Sequence, residues 1–275
     1  MGENQNRIVP IVIVLIILGV WFLTPIKSVL GGIFGSPTYK ARSVCEIVVD
    51  RTGSTASDGV SKHFHRLASA SVNACEAKGA LVDIWTTGSD GINPSLVSNR
   101  PISFIYSGAR LQLYVSREAQ AVHQAKIALS KVFNSSSKGS QMGSDIAAAL
   151  SQAASTGAKL SVRNGGIPAY VIMITDGMQL AQGTAVTSMS NIDSDPNVLA
   201  HQTQSLYPMG ALKGSNVFFY GVRSGTLDST GQPLPAWFEN KVSKYWNDVV
   251  TSGGGRFCSY QNDQDSSSML VCGGI

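Results

Sequence analysis

Short apolar runs alternate with amphipathic stretches along most of the chain, and this alternation restricts its fold more than any other feature. The runs VCEIVV at 44–49 and YVIMI at 170–174 suit strands that are buried on both faces of a sheet. Between such runs, apolar residues recur at helical spacing, as from Val60 to Cys75 and from Phe238 to Val250. Strands that alternate with helices predict a mostly parallel sheet with helices on both faces. The sequence therefore predicts a doubly wound α/β domain.

The remaining segments follow the same two patterns. Further strands are predicted at 81–85, 217–222 and 256–260, and further helices at 122–133, 145–156 and 196–212. Residues 102–106 and 111–114 are also interpreted as strands, which would form a hairpin at one edge of the sheet.

The apolar residues are unusually dense near the start of the chain. Residues 8–26 form 19 consecutive residues without a charge, and a helix of that length rises about 28 Å, close to the roughly 30 Å hydrocarbon core of a bilayer. Trp21 and Phe22 near its end suit the membrane interface. A cleaved signal peptide is the alternative, but its apolar core is usually shorter and ends in a small-x-small site, and no Ala-x-Ala follows here. The predicted organisation is a head at 1–7, a transmembrane helix at 8–26 in the lipid bilayer, a linker at 27–42 and a domain at 43–275.

Two acidic residues stand where ligand sites of open α/β sheets occur. Asp50 and Asp176 each come at the end of an apolar strand, and ligands bind outside the carboxyl ends of such strands. Hydroxyl residues accompany them: Thr52 and Ser54 follow Asp50, and Ser144 opens the Ala-rich helix. Carboxylate and hydroxyl oxygens suit Mg²⁺, or Mn²⁺ or Ca²⁺, rather than Zn²⁺.

These residues belong to three motifs that together resemble a von Willebrand factor type A (VWA) domain. The motifs are D-R-T-G-S at 50–54, G-S-D-I at 143–146 and I-T-D-G at 174–177, and the resemblance extends over about 44–260. It implies a doubly wound sheet with one antiparallel edge strand and a metal-ion-dependent adhesion site at its top. The ligands carried over by resemblance are Asp50, Thr52, Ser54, Ser144 and Asp176. The family more often has Ser at the position of Thr52 and Thr at that of Ser144, and both departures keep the hydroxyl.

The resemblance also implies a function. A site of this family leaves one metal position for an Asp or Glu of a protein partner, so we expect adhesion, or assembly of a surface or envelope complex. Two alternatives stay open: a scaffold subunit with a vestigial metal site, and a cytosol-facing partner of an ATPase. An enzyme is not expected, because a metal-dependent phosphohydrolase normally needs a second acid where Thr52 stands. A nucleic-acid partner is not expected either, since the net charge is only +4 and no basic cluster is present.

The four cysteines bear on the compartment. Cys45, Cys75, Cys258 and Cys272 are an even number, which is compatible with two disulfides and with a domain outside the cytoplasm, in the periplasm or at the cell surface. Four buried free thiols are the alternative. Cys45 begins the first strand and Cys75 ends the following helix, so a bridge between them is one possibility, with Cys258–Cys272 as the other. Four cysteines allow three pairings, and the sequence does not choose among them.

Overall fold

A mixed β-sheet runs through the part of the chain that the structure describes. The structure is a computed structural model, and it describes residues 40–52, 58–87, 94–105, 111–134, 144–179, 195–222 and 235–272. The strands are β1 (Ser43–Val49), β2 (Ala80–Thr86), β3 (Ser95–Leu96), β4 (Ile102–Ser103), β5 (Ala169–Ile174), β6 (Ser215–Tyr220) and β7 (Arg256–Gln261). The helices are α1 (Asp58–Ala77), α2 (Leu111–Asn134), α3 (Ile146–Arg163), α4 (Pro196–Leu206) and α5 (Ala236–Ser252), with a 3₁₀ turn at Met209–Leu212.

The strand order identifies the sheet as doubly wound. It runs β3-β2-β1-β5-β6-β7, and β4 pairs with β2 beside β3. The five strands from β2 to β7 in this order are parallel to their neighbours, whereas β3 and β4 pair antiparallel to β2 at one edge. The prediction of a mostly parallel α/β sheet is confirmed.

Helices cover both faces of this sheet, because alternate side chains of each strand point to opposite faces. Cys45, Ile47 and Val49 of β1 belong to the core that α1 and α2 cover, while Val48 belongs to the core that α3, α4 and α5 cover. The apolar stripes predicted for α1 and α5 are buried throughout. Helices therefore cover both faces of the sheet, so we expect functional side chains in the loops at the strand ends.

The predicted membrane segment is not part of this description. The head at 1–7, the transmembrane helix at 8–26 and the linker as far as residue 39 lie outside the described residues. Among the residues that are described, no helix is long and apolar enough to cross a membrane.

The predicted edge hairpin is wrong in its second half. Residues 111–114 form the first turn of α2 rather than a strand, and the edge is completed instead by β3 at Ser95–Leu96. A short apolar run fits a strand and a buried helix equally well. No Gly or Pro interrupts residues 111–134, so the helix that was predicted from 122 extends back to Leu111.

The Ala-rich helix is also longer than predicted, because α3 continues to Arg163 through a glycine. Gly157 faces β1, and a Cβ there would lie 3.0 Å from the Cγ of Glu46. The glycine thus lets the helix pass a buried acidic side chain of the sheet.

Two disulfides staple the face that carries α1 and α2. Cys45 of β1 is bonded to Cys75 of α1, and Cys258 of β7 is bonded to Cys272. All four cysteines are thereby paired, in one of the three pairings that the sequence allowed. Cys45 and Cys75 are fully buried, whereas Cys272 is partly exposed.

We expect the two disulfides to be reduced in a fixed order. Thiol exchange requires access to a sulfur atom, so a thiol reductant should open Cys258–Cys272 before Cys45–Cys75 in the folded protein. Alkylation and mass spectrometry along a dithiothreitol titration measure this order. Alkylation of Cys45 and Cys75 first, or labelling of all four cysteines before any reductant is added, would contradict the assignment.

Two buried carboxyl groups lie side by side between β1 and β2. Glu46 and Asp83 are register partners on these strands, and both are at most 1% exposed. Glu46 accepts a hydrogen bond from the Trp85 indole at 2.6 Å, and Asp83 accepts one from the Ser98 hydroxyl at 3.0 Å. Burial raises the pKa of Asp83 to about 6. Burial, and then the nearby charge of Asp83, raise the pKa of Glu46 well above its ordinary value.

This acid pair predicts a stability that falls as the pH rises. The raised pKa values mean that the folded protein holds protons which the unfolded chain releases near pH 4. The stabilisation from Asp83 is complete below about pH 4 and is lost as the pH rises through about 6, and the contribution of Glu46 has the same sign. Asp83→Asn keeps an acceptor for Ser98 and should remove about 2–3 kcal/mol of this pH dependence. Urea unfolding between about pH 4 and pH 8 measures it. An equal slope in the wild-type protein and the variant would show that Asp83 is ionised in the fold.

Candidate metal centre

The order of the sheet reverses at the point where Asp50, Thr52 and Ser144, three of the residues singled out in the sequence, meet. The strands that follow β1 in the chain extend the sheet on one side through β2 and on the other through β5. Asp50 directly follows β1, and Thr175 and Asp176 directly follow the adjacent β5. The backbone N–H of Asp50 donates to the carbonyl of Ile174 at 2.8 Å, which ties the two strand ends together. Such a reversal point is the usual position of a ligand site in an open α/β sheet.

The Asp50 carboxylate is buried and is surrounded by hydroxyl groups. Its Oδ1 accepts from the Thr52 hydroxyl at 2.9 Å and from the Thr87 hydroxyl at 3.1 Å, and its Oδ2 accepts from the Thr175 hydroxyl at 2.8 Å. The Ser144 hydroxyl lies 3.0 Å from both carboxylate oxygens and is hydrogen-bonded to the Thr52 hydroxyl. Asp50 is 1% exposed, so these bonds offset the cost of removing its charge from water.

Asp176 follows Thr175, whose hydroxyl donates to Asp50, in the loop after β5. Asp176 is 2% exposed, and its Oδ1 accepts from the backbone N–H of Met178 at 2.9 Å. The next residue, Gly177, has φ +83°, and a Cβ there would lie 2.7 Å from the Tyr260 hydroxyl. Trp246 of α5 donates its indole N–H to the Gly177 carbonyl at 2.9 Å. A glycine is therefore required at this turn both by its backbone conformation and by the close approach of Tyr260.

Ser144 is held in place by a polar clamp of Asp145, Gln179 and Tyr207. Asp145 caps α3 by accepting from the N–H of Ala148 at 2.9 Å, and it also accepts from the Gln179 amide at 3.1 Å and from the Tyr207 hydroxyl at 2.5 Å. The Gln179 side chain is fully buried and accepts from the N–H of Ala147 at 2.9 Å, while its backbone forms a bridge with Ser144. The clamp thus joins the start of α3, the loop after β5 and the end of α4.

Arg51 anchors the first loop on its other side. Its guanidinium donates to the Ser61 hydroxyl at 2.8 Å and to the Phe133 carbonyl at 3.5 Å, and it lies 5.2 Å above the Phe133 ring. Burial lowers the pKa of Arg51, and the negative charge of Asp50 opposes that shift. The Arg51 guanidinium therefore connects α1 to α2 by contacting Ser61 of one helix and Phe133 of the other.

The chemistry of this cluster fits a hard divalent cation. Oxygen atoms bound to Mg²⁺ at 2.0–2.1 Å in an octahedron lie about 3 Å from their neighbours, and the Thr52 and Ser144 hydroxyls lie 2.9 and 3.0 Å from the Asp50 carboxylate. No group of three or more His, Cys, Asp or Glu residues suited to a metal occurs among the described residues. A metal here would depend on hydroxyl ligands. Ser54, the remaining predicted ligand, lies outside the described residues.

Several residues of this site were not anticipated from the sequence. Thr87 follows β2 as Asp50 follows β1, so the rule that ligands gather at strand ends would have found it. Thr175 stands within the I-T-D-G motif but was not assigned a role. Gln179 and Tyr207 carry no local signal, because both reach the start of α3 from segments that lie far along the chain.

The chain was compared with known proteins. No protein-family model and no curated protein matches it. Solved structures do match: an aerotolerance-related membrane protein from Bacteroides fragilis has 17% identity and a TM-score of 0.43, over 82% of this chain and 94% of that one. Proximal thread matrix protein 1 from the mussel byssus has 10% identity and a TM-score of 0.41, over 83% of this chain and 45% of that one. The pilus adhesin SpaC from Lactobacillus rhamnosus GG has 12% identity and a TM-score of 0.39, over 83% and 28%. Likeness at this level assigns neither a family nor a function.

The clamp predicts a specific effect of replacing Gln179. Gln179→Met preserves much of the side-chain shape but removes the acceptor for the Ala147 N–H, so the free energy of unfolding should fall by about 1–3 kcal/mol. Hydrogen exchange of the Ala147 amide should accelerate more than that of Ala148, which Asp145 still caps.

The matched control is Gln202→Met on α4. Gln202 is exposed, and its replacement should change stability by less than about 0.5 kcal/mol. Equal effects of the two variants would mean that the clamp has no special role.

Proposed function

We propose that residues 44–260 form a VWA domain that binds a divalent cation and, through it, an acidic group of a protein partner. The observation that carries the proposal is the contact of Asp50 with the hydroxyls of Thr52 and Ser144, which come from two different loops. The doubly wound sheet with an antiparallel edge and the position of the cluster at the reversal point also support it.

Each residue has a distinct part in the proposed site. Asp50 and Asp176 supply the negative charge, and the hydroxyls of Thr52, Ser54 and Ser144 supply neutral oxygen ligands. Thr87 and Thr175 orient the Asp50 carboxylate by donating to its two oxygens. A bound Mg²⁺, Mn²⁺ or Ca²⁺ would supply a positive charge for a carboxylate of the partner.

We infer that the site binds rather than catalyses. Thr52 stands two residues after Asp50, where a metal-dependent phosphohydrolase normally carries a second acid. The residues gathered around Asp50 are ligands and hydrogen-bond donors, which suits the recognition of an anion by a held cation.

We propose that the domain works outside the cytoplasm and is anchored to a membrane by residues 8–26. The two disulfides support this location, because such bonds persist in oxidising compartments. Adhesion, or assembly of a surface or envelope complex, is the role that unites a membrane anchor with a metal-dependent binding surface.

Metal titration tests the proposal directly. Asp50→Asn removes one of the two ligand charges, so Mn²⁺ binding measured by calorimetry should weaken by about 100-fold or more. Asp248→Asn is a matched control, because Asp248 pairs with Lys244 on the surface of α5, and its Mn²⁺ affinity should stay within about twofold of the wild type. A wild-type protein that does not bind Mn²⁺, Mg²⁺ or Ca²⁺ would overturn the proposal.

Partner recovery tests the second step. The full chain should retain a protein from membranes of its own host in Mg²⁺, and should lose it in a chelator and in the Asp50→Asn variant. Retention that is unchanged under both conditions would support the alternative of a scaffold subunit that uses another face of the domain.

A further inference from the structure

A groove lies between α2 and the segment that joins β3 to β4. Four residues of α2 form one wall, and they recur at the spacing of a single helix face: Gln124, Ile127, Ala128 and Lys131. The opposite wall consists of residues 97–100 and 102. The groove therefore runs along the antiparallel edge of the sheet, and its lining shares no residue with the candidate metal centre.

The size of the groove limits the kind of ligand that could fill it. Its volume is about 230 Å³, below the roughly 300–1,000 Å³ of pockets that enclose cofactors or drug-sized molecules. One or two side chains of a peptide fill a space of this size.

The lining combines an apolar floor with two cations. Val97 and Ile102 contribute to the floor, and Ile127 is 42% exposed at the rim. Arg100 and Lys131 are both exposed, and neither forms an ion pair or hydrogen bond with another described residue. None of the nine described lining residues is acidic. The groove therefore complements a ligand that carries carboxylates next to aliphatic groups.

The wall of the groove that follows β3 is fixed by the sheet. The buried Ser98 hydroxyl accepts from the N–H of Ile84 at 3.1 Å and donates to the Asp83 carboxyl at 3.0 Å. These bonds hold the segment after β3 against β2, so the wall that carries Arg100 is formed before a ligand arrives. A preformed wall lowers the entropy cost of binding.

We propose that this groove binds an acidic, aliphatic segment of a protein partner. A carboxylate of the segment lies between Arg100 and Lys131, and an aliphatic side chain packs on Ile127. A nucleic acid is a poorer match, because two cations neutralise few phosphates and the nine described lining residues include no aromatic ring on which a base could stack.

Fluorescence anisotropy with the full chain tests this assignment. The probe is a labelled short peptide of alternating Glu and Leu, and a chelator is present throughout, so that the proposed metal site does not contribute. Reversing both charges, in Arg100→Glu with Lys131→Glu, should weaken peptide binding by about tenfold or more. Ile127→Asp should weaken it by a similar factor.

Matched controls keep the test specific. Lys126→Glu reverses an exposed charge on α2 outside the groove, and Val162→Asp replaces a 76% exposed valine of α3. Both should bind the peptide within about twofold of the wild type, because neither residue lines the groove. A peptide of alternating Lys and Leu should not bind.

Three results would overturn the assignment. They are a Glu-Leu peptide that does not bind, binding that survives reversal of Arg100 and Lys131, and binding that Lys126→Glu reduces equally. Tighter binding of a single-stranded oligonucleotide than of the Glu-Leu peptide would identify a nucleic-acid groove instead. None of these results bears on Mn²⁺ binding at Asp50, so the two proposals fail separately.

Discussion

The burial of the Asp50 carboxylate is the constraint on which the segments at the carboxyl ends of the parallel strands depend. A buried carboxylate is costly unless hydrogen bonds replace its hydration, and here hydroxyl groups from four places in the chain provide them. Thr52 follows β1 and Thr87 follows β2, while Ser144 precedes α3 and Thr175 follows β5. Because each hydroxyl must reach the same carboxylate, these four segments are held in one arrangement.

That arrangement links stability to the proposed function. Two of the hydroxyls that contact Asp50, those of Thr52 and Ser144, are also proposed ligands of the divalent cation, so the bonds that satisfy Asp50 hold these two oxygens beside it. The clamp of Asp145, Gln179 and Tyr207 fixes the start of α3 and so helps to hold Ser144 in place. The groove beside α2 is built differently, because the Ser98 bonds to β2 hold one of its walls. It presents two cationic side chains, whereas the first site gathers a carboxylate and hydroxyl groups.

Local patterns predicted the elements well where each was long and strongly periodic. The buried stripes of α1 and α5 and the strand cores of β1 and β5 are examples, because burial on one face of a helix or on both faces of a strand leaves a pattern in the sequence. The pattern failed at 111–114, where four residues suit either structure, and at Ser95–Leu96, where two residues carry no period. It did not indicate that Glu46 and Asp83 are buried partners, because their contact depends on the register of β1 against β2.

The sequence by itself determined the α/β class and the chemical types of residue that follow the strands, since both depend on neighbours along the chain. The order of the strands was decided only in the tertiary structure, and with it the meeting of Thr87 and Thr175 at Asp50. Packing likewise selected Cys45–Cys75 and Cys258–Cys272 among three pairings, and brought Arg100 and Lys131 to opposite walls of one groove. Each of these depends on contacts between residues far apart in the chain, which local periodicity does not record.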